Sequence, residues 1–210
     1  MPVGKEKGHL IVPVFIPHQG CPFKCIYCRQ DKITDRYMPT SASHIKKTLD
    51  DSLESPKFSS ATTKEVAFYG GTFTNISPAK MKDMLDAVAP YLQKGLFNSI
   101  RVSTRPDSID EDRLELMKSY GVATVELGVQ SMDDNVLALS KRGHTSEDVV
   151  NAVDLLRRHD FRIGIQLMPG LPGDSENVFK KTIDRIIGLN PDMARLYPVI
   201  VIRETELASM

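Results

Sequence analysis

Three cysteines stand close together near the start of the chain, in the segment His18-Gln-Gly-Cys21-Pro-Phe-Lys-Cys25-Ile-Tyr-Cys28. The spacings of four and three residues let all three sulfur atoms turn toward one centre, because extended chain covers about 3.3 to 3.6 Å per residue. Thiolates are the usual ligands of iron–sulfur clusters. A [4Fe–4S] cluster held by Cys21, Cys25 and Cys28 would keep one iron without a protein ligand, and an open iron suggests catalysis.

Two other interpretations of these cysteines stay open. The first is a non-catalytic, regulatory module with a Cys₃His zinc site, in which His18 is the fourth ligand, although structural zinc sites usually join two ligand pairs across a longer loop. The second, three unligated core cysteines, is less favoured because Gly20, Pro22 and Lys24 do not resemble core sequence. A disulfide framework is excluded, because the three cysteines are an odd number and none lies elsewhere in the sequence.

Apolar runs that alternate with helical periodicities must position this loop. Six runs are typical of buried strands: 10–16, 65–69, 99–104, 123–129, 162–168 and 193–202. The segments between them carry apolar residues at helical spacing, for example Ile45, Leu49 and Leu53. This alternation predicts parallel strands in a doubly wound sheet or a partial barrel. Chemistry collects at the C-terminal ends of the strands in both folds, and the cysteines directly follow the first strand.

Length and charge narrow the class of protein. The chain has 210 residues with 27 basic and 27 acidic side chains, and without a linker we predict one domain over residues 1–210 that lacks a C-terminal extension. The balanced charge gives no support to a dedicated nucleic-acid surface, although a local basic patch is compatible with it. The longest apolar run is too short for a membrane span. We therefore predict a cytoplasmic protein with no membrane partner.

The Cys-x₃-Cys-x₂-Cys spacing, with the aromatic Tyr27 just before the last cysteine, resembles the signature of the radical S-adenosylmethionine enzymes. In that family the cysteines hold a [4Fe–4S] cluster, whose fourth iron chelates the amine and carboxylate of S-adenosylmethionine. One electron cleaves the sulfonium, and the resulting 5′-deoxyadenosyl radical abstracts hydrogen from the substrate. The resemblance also implies an α/β fold, a partial (β/α)₆ barrel of the TIM type, which agrees with the six predicted strands.

Further motifs narrow the resemblance to one branch of the family. Arg105-Pro-Asp107, Glu126-Leu-Gly-Val-Gln130-Ser131 and Lys141-Arg-Gly-His-Thr145 resemble the catalytic subunit of Elongator. Gly128-Val-Gln130 and Gly170-Leu-Pro172 are shared with oxygen-independent coproporphyrinogen III oxidase. These motifs identify a branch of the family and do not mark a substrate. Transfer RNA stays one candidate substrate, but the barrel motifs alone do not imply activity on its uridine.

The resemblance also implies roles for individual residues. The pair Gly70 and Gly71, with Thr72 beside it, would bring main chain close to the methionine amine, since only glycine permits such an approach. Gln130 would hydrogen-bond the ribose. Arg142 would pair with the methionine carboxylate through its planar fork of donors.

The remaining residues of the implied cofactor site are less specific. Tyr27 would pack or hydrogen-bond at the adenine. Ser103 stands where relatives carry a glutamate that grips the ribose hydroxyls, and a serine can still donate and accept. Arg142 has a simpler interpretation as a solvated charge at a helix end, and His144 is predicted to be a helix cap or a surface residue.

The partners follow from the family. It implies an electron donor of the flavodoxin or ferredoxin type, together with a substrate that the motifs do not mark. Coproporphyrinogen oxidases carry a further cysteine just beyond the third ligand, whereas here Cys28 is followed by Arg29 and Gln30. Porphyrin chemistry therefore loses support.

Overall fold

The computed structural model describes residues 8–29 and 40–210. Six strands of this part of the chain form one sheet: His9–Phe15 (β1), Thr63–Tyr69 (β2), Ser99–Thr104 (β3), Val122–Gln130 (β4), Arg162–Leu167 (β5) and Met193–Leu196 (β6). They are ordered as in the sequence, and each pairs in parallel with the next. The sheet curls into a half-barrel, which confirms the predicted partial barrel of the α/β class.

Helices connect the strands. The described residues contain seven α-helices: Ala42–Leu53 (α1), Pro56–Ser60 (α2), Pro78–Gln93 (α3), Glu111–Ser119 (α4), Asp134–Leu139 (α5), Ser146–Arg158 (α6) and Glu176–Gly188 (α7). Six of them begin after a residue whose side chain accepts a hydrogen bond from the first turn: Ser41, Ser55, Asp110, Asp133, Thr145 and Ser175. Such caps satisfy amide groups that have no partner inside the helix.

The hydrophobic core lies between the sheet and the helices. Val66 and Phe68 of β2 belong to it, together with residues of the helices such as Leu85 and Leu156, and all four are fully buried. Side chains alternate between the two faces of a strand. The strand residues next to those that face the helices therefore point into the barrel. Several of these are polar or charged, and Glu65 is one of them.

The last strand is shorter than predicted. β6 ends at Leu196 and not at residue 202. Two further amides, of Tyr197 and Val199, still donate to carbonyl groups at the end of β5 and just beyond it. The bond that a parallel ladder would form between these two needs the N–H of residue 169, which is a proline and has none. The apolar residues Ile200 and Val201 are consequently exposed.

None of the helices in the described residues is both long and apolar enough to cross a membrane.

Candidate active site

The ten residues predicted for the metal and cofactor site line one cavity of about 410 Å³. The cavity lies at the C-terminal mouth of the half-barrel, and its volume is typical of small-molecule pockets. The residues that meet there are Cys21, Cys25, Tyr27, Cys28, Gly70, Gly71, Thr72, Ser103, Gln130 and Arg142. The sequence therefore identified residues that the fold brings together, although their individual roles stay predictions.

The turn after β2 holds the first part of the cysteine loop. His18 N–H donates to the Gly70 carbonyl at 3.2 Å, and Thr72 N–H donates to the Gln19 carbonyl at 2.8 Å. The Cys21 Sγ atom lies 3.4 Å from Thr72 Oγ1. These contacts fix the first cysteine against the turn that carries the glycine pair.

Two glycines allow this close packing. A Cβ atom on Gly20, whose φ is +75°, would lie 2.2 Å from the Thr72 carbonyl oxygen. A Cβ atom on Gly71 would lie 2.5 Å from the Gln19 carbonyl oxygen and 2.6 Å from that of Ile16. Gly71 is thus required where two turns meet, a reason that the sequence motif does not contain, and its approach to a methionine amine stays a prediction.

The end of α5 holds the middle of the cysteine loop. Ile26 N–H donates to the Ser140 carbonyl at 3.3 Å. Arg142 donates from Nη1 to Cys25 Sγ at 3.3 Å and from Nη2 to the Gly128 carbonyl. Arg142 is only 7% exposed, so its interpretation as a solvated helix-end charge is wrong.

Several buried polar atoms around the cavity have no hydrogen-bond partner in the described structure. They include Tyr27 Oη, Gln130 Oε1 and Arg142 Nε. Burial raises the pKa of Tyr27 far above its ordinary value, so its hydroxyl is a neutral donor. Gln130 has a φ of +71°, a strained conformation of the kind that clusters at functional sites. Unsatisfied buried groups are rare in proteins, and these fit a polar ligand that supplies both donors and acceptors.

The cavity also contains residues to which the sequence analysis gave no role, among them Tyr69, Gln166 and Tyr197. Gln166 donates from Nε2 to Glu126 Oε2 at 2.8 Å, and Tyr69 donates from its hydroxyl to Glu126 Oε1 at 3.1 Å. The signal was strand position: Tyr69 ends β2, Gln166 stands next to the end of β5, and Tyr197 follows β6. In a parallel sheet, such positions lie at the functional edge.

A network of buried charges fills the barrel interior below the mouth. Arg101 donates from Nη2 to Glu65 Oε2 at 2.5 Å and from Nη1 to Glu126 Oε1 at 2.7 Å. Burial raises the pKa of Glu65, but the hydrogen bond and the charge of Arg101 outweigh it, so the net pKa lies below the ordinary value. We call Glu65, Arg101 and Glu126 the lower network.

His144 lies inside the protein, and the prediction of a cap or surface residue is wrong. It is 4% exposed, and its Nε2 atom lies 3.2 Å from the Val129 carbonyl oxygen. Its neighbour Thr145 is the residue that caps α6. Burial, followed by the charges of Arg142 and Arg105, lowers the pKa of His144 to about 4. The ring is therefore neutral at pH 7.

The cysteines do not form a compact site for one ion. Among the described residues, no three His, Cys, Asp or Glu side chains are close enough together to hold a single metal ion. His18 lines the same cavity as the cysteines. The Cys₃His zinc alternative thus has no preformed site in this part of the chain.

Comparisons with known proteins agree with this geometry. A family model described as the Radical SAM superfamily matches residues 15–186. A tRNA uridine(34) acetyltransferase of Methanocaldococcus infernus is 31% identical over 100% of this chain and 46% of its own length. Elongator complex protein 3 of Bos taurus is 26% identical over 98% of this chain and 46% of its own length.

Solved structures share the fold. The archaeal Elp3 of Methanocaldococcus infernus superposes with a TM-score of 0.73 at 28% identity, over 97% of this chain and 49% of that one. Coproporphyrinogen III oxidase (HemN) from Escherichia coli gives a TM-score of 0.66 at 21% identity, over 93% and 45% of the two chains. The chain spans about half the length of the relatives that it matches.

Proposed function

The chain belongs to the radical S-adenosylmethionine superfamily, an enzyme family whose cofactors are a [4Fe–4S] cluster and S-adenosylmethionine, and we propose that Cys21, Cys25 and Cys28 hold the cluster here. The observation that carries the proposal is the convergence of all three cysteines and the predicted cofactor residues on one cavity. When bound, the reduced cluster supplies the electron that cleaves S-adenosylmethionine to a 5′-deoxyadenosyl radical, which takes hydrogen from the substrate.

The cysteine loop fits such a cluster. Its thiols come from one short segment, so no distant part of the fold must move for the three sulfurs to bind. Arg142 already donates to Cys25 Sγ at 3.3 Å, and hydrogen bonds to ligand sulfurs are one of the means by which proteins tune cluster potentials. The loop adds no fourth thiol, which leaves the open iron that the chemistry needs.

The unpartnered polar atoms support binding of S-adenosylmethionine. We propose that Gln130 Oε1 accepts a hydrogen bond from a ribose hydroxyl and that Arg142 binds the methionine carboxylate. Arginine carries five N–H donors, so Arg142 has donors left after its bonds to Cys25 and the main chain. The buried Tyr27 hydroxyl would hydrogen-bond at the adenine.

Small residues complete the proposed site. The main chain of Gly70 and Gly71, together with Thr72, faces the cavity next to Cys21 and would bind the methionine amine. Ser103 lies at the end of β3, where Gln166 Nε2 is 3.4 Å from its Oγ atom. We propose that this hydroxyl, in place of a carboxylate, contacts the ribose.

Aromatic side chains would keep water away from the radical. The rings of Phe15, Tyr69 and Tyr197 line the cavity. At its outer side the Arg105 guanidinium carbon lies 4.9 Å from the centre of the Phe23 ring. Exclusion of water prevents side reactions of reactive intermediates.

We propose a base of transfer RNA as the substrate. The support is the name of the relatives that act on tRNA uridine(34) and the chemistry of the cavity, where Tyr69, Tyr197 and Gln166 offer aromatic faces and an amide. Splayed RNA bases are bound by stacking on aromatic rings and by hydrogen bonds to their edges. The net charge of zero does not support an extensive surface that binds the phosphates of RNA. We therefore assign residues 1–210 the role of a core domain that binds the reacting base.

Binding of transfer RNA tests the substrate proposal. We expect intact transfer RNA to raise the rate of 5′-deoxyadenosine formation, whereas the same RNA digested to nucleotides should raise it less. Because the net charge is zero, residues 1–210 alone should bind transfer RNA with only a weak dependence on salt concentration. Equal stimulation by both samples would contradict the substrate proposal and leave the cofactor proposal intact.

Metal analysis tests the cluster proposal. After anaerobic purification we expect about four irons per chain, the content of one [4Fe–4S] cluster, and loss of iron in Cys25→Ala. One tightly held zinc with no iron would reject the proposal in favour of the regulatory zinc module. We also propose a flavodoxin- or ferredoxin-type donor and a cytoplasmic location, because the three cysteines are not joined in a disulfide, as is usual for proteins of a reducing compartment.

A further inference from the structure

Each part of the cysteine loop is held by a different segment. The turn after β2 contacts Cys21 through Thr72, and the end of α5 contacts Cys25 through Arg142. A third segment, residues 202–209, lies against the end of the loop. We call it the C-terminal strap.

The strap contacts the chain on both sides of Cys28. Leu207 N–H donates to the Ile26 carbonyl at 3.0 Å, two residues before this cysteine. Arg29, one residue after it, donates from Nη1 to the Glu204 carbonyl at 3.1 Å and to Glu204 Oε2 at 3.2 Å. Cys28 is thus bracketed by contacts to one segment.

The strap has an ordered structure of its own. Thr205 is buried, donates from Oγ1 to the Ile202 carbonyl at 2.6 Å and accepts from Ala208 N–H at 3.2 Å. Glu206 Oε1 pairs with Lys141 Nζ at 2.5 Å, which ties the strap to the residue before Arg142. The strap therefore joins the end of the cysteine loop to the segment that holds its middle.

We propose that the C-terminal strap positions Cys28 so that it is ready to bind the cluster. This inference rests on the proposed function of the three cysteines. The strap lies beyond residues 15–186, the part matched by the family model, so the role comes from contacts in this chain. Glu204 and Glu206 are positioning residues, since they act through Arg29 and Lys141.

Thiol reactivity in the metal-free protein tests the strap without any cofactor. We would alkylate reduced protein and follow each cysteine by mass spectrometry, comparing the wild type with the double variant Glu204→Ala, Glu206→Lys. Because exposed ion pairs each shift a local equilibrium by about two- to fivefold, we expect Cys28 to react about tenfold faster. Cys21 should change by less than about twofold, because the turn after β2 still holds it. Unchanged Cys28, or an equal increase at all three cysteines, would overturn the proposal.

A charge reversal separates positioning from general destabilisation. Glu206→Lys alone places two cations together, and adding Lys141→Glu restores the pair with its signs exchanged. We expect the double variant to react at Cys28 within about twofold of the wild type, since an exposed pair depends mainly on opposite charge. Failure of this rescue would contradict the role of the pair.

A second ion pair provides the matched control. Lys47 and Asp51 of α1 are 73% and 64% exposed, similar to Lys141 and Glu206 at 58% and 51%, but lie on a helix that does not carry the cysteines. Asp51→Lys should leave the ratio of Cys28 to Cys21 alkylation unchanged. A change as large as that of Glu206→Lys would show that the ratio reports general loosening, and would overturn the proposal.

Iron retention links the strap to the cluster. In protein reconstituted without air, a chelator should remove iron several-fold faster from Glu204→Ala, Glu206→Lys than from the wild type, since one ligand is less well held. If the wild type binds no iron, the proposed function fails, whatever the alkylation shows. If it binds about four irons and the variant has the same ratio of Cys28 to Cys21 alkylation as the wild type, the strap proposal fails and the proposed function stands.

Discussion

The two ends of the barrel interior are both polar, but they satisfy their polar groups in different ways. In the lower network every carboxylate oxygen of Glu65 and Glu126 accepts at least one hydrogen bond from a side chain. At the mouth, Tyr27 Oη, Gln130 Oε1 and Arg142 Nε have no partner in the described structure. The lower end also leaves two atoms unpaired, Nε of Arg101 and Oγ1 of Thr124, which is beside Arg101 in the strand register.

This difference separates structure from binding. A carboxylate whose oxygens are all paired has little to offer a ligand, whereas a buried atom without a partner costs free energy until a ligand supplies one. We infer that the lower network stabilises the barrel. The unpaired atoms at the mouth lower the stability of the fold but are available to bind a ligand. Substitutions in the lower network should therefore change mainly the free energy of unfolding, whereas substitutions at the mouth should change mainly the affinity for a ligand.

The largest effect is expected at Arg101. Arg101→Leu removes the cation between two buried carboxylates, and breaking a buried ion pair costs about 3 to 5 kcal/mol because a charge is left unpaired. The free energy of unfolding, measured with urea, should fall by this amount. Arg162→Leu is the control, since Arg162 donates to the same Glu65 but is 48% exposed, and it should cost less than about 1 kcal/mol. Equal losses would contradict the distinction between buried and exposed partners.

Low pH should lower the free energy of unfolding, because His144 at the mouth becomes protonated. Its folded pKa of about 4 lies below the ordinary value of 6.5, so the unfolded chain binds the proton first and stability is lost as the pH falls from about 6.5 to about 4. The loss approaches about 3 kcal/mol at 1.36 kcal/mol per pKa unit. Urea unfolding of metal-free protein across this range, with His144→Gln as control, measures it. A variant with the same pH dependence as the wild type would show that other groups cause the loss.

Arg142 should affect binding more than folding. Arg142→Gln removes the guanidinium proposed for the methionine carboxylate, and a hydrogen bond to a charged group is worth about 1.5 to 3 kcal/mol. The affinity for S-adenosylmethionine, measured by equilibrium dialysis, should fall about ten- to a hundredfold. Lys47→Gln, at an exposed lysine of α1, should leave the affinity within about twofold. Unchanged affinity in Arg142→Gln would remove this residue from the binding site.

The smallest effect on stability is expected at Gln130. Its positive φ costs a non-glycine residue about 1 to 2 kcal/mol, and glycine relieves that strain but adds entropy to the unfolded chain. Gln130→Gly should therefore leave the free energy of unfolding unchanged or raise it by up to about 1 kcal/mol, while binding of S-adenosylmethionine weakens. Gln166→Gly, in a regular strand, should lower stability. A loss of stability at both positions would contradict the inference that the mouth is less stable because its residues are arranged to bind a ligand.

The sequence predicted the site better than the interior. The cysteine spacing and the glycine pair are local patterns, and the alternation of strands and helices followed from periodicities. The periodicities left a doubly wound sheet and a partial barrel open, and the family resemblance favoured the barrel. Arg101 was not recognised as buried, because its partners Glu65 and Glu126 lie on other strands and only the register brings them together. Such partners are set by the fold.

Two further differences have the same origin. His144 looks like a surface residue next to the cap Thr145, and only the packing of its ring against the Val129 carbonyl shows that it is buried. The run that contains β6 looks like one long strand, but the regular pairing stops at Leu196 because Pro169, just beyond β5, has no N–H to donate. In both cases the local pattern led to a wrong prediction, because the tertiary environment decided the outcome.

The most direct test of the central claim is reductive cleavage of S-adenosylmethionine. After reconstitution with iron and sulfide without air, dithionite is added and 5′-deoxyadenosine is measured by chromatography, with Cys25→Ala as the control. We predict the product with the wild type and none above background with the variant, because the cluster has lost one of its three thiolates. Equal product in both samples, or none in either despite a full complement of iron, would contradict the assignment of the cysteines.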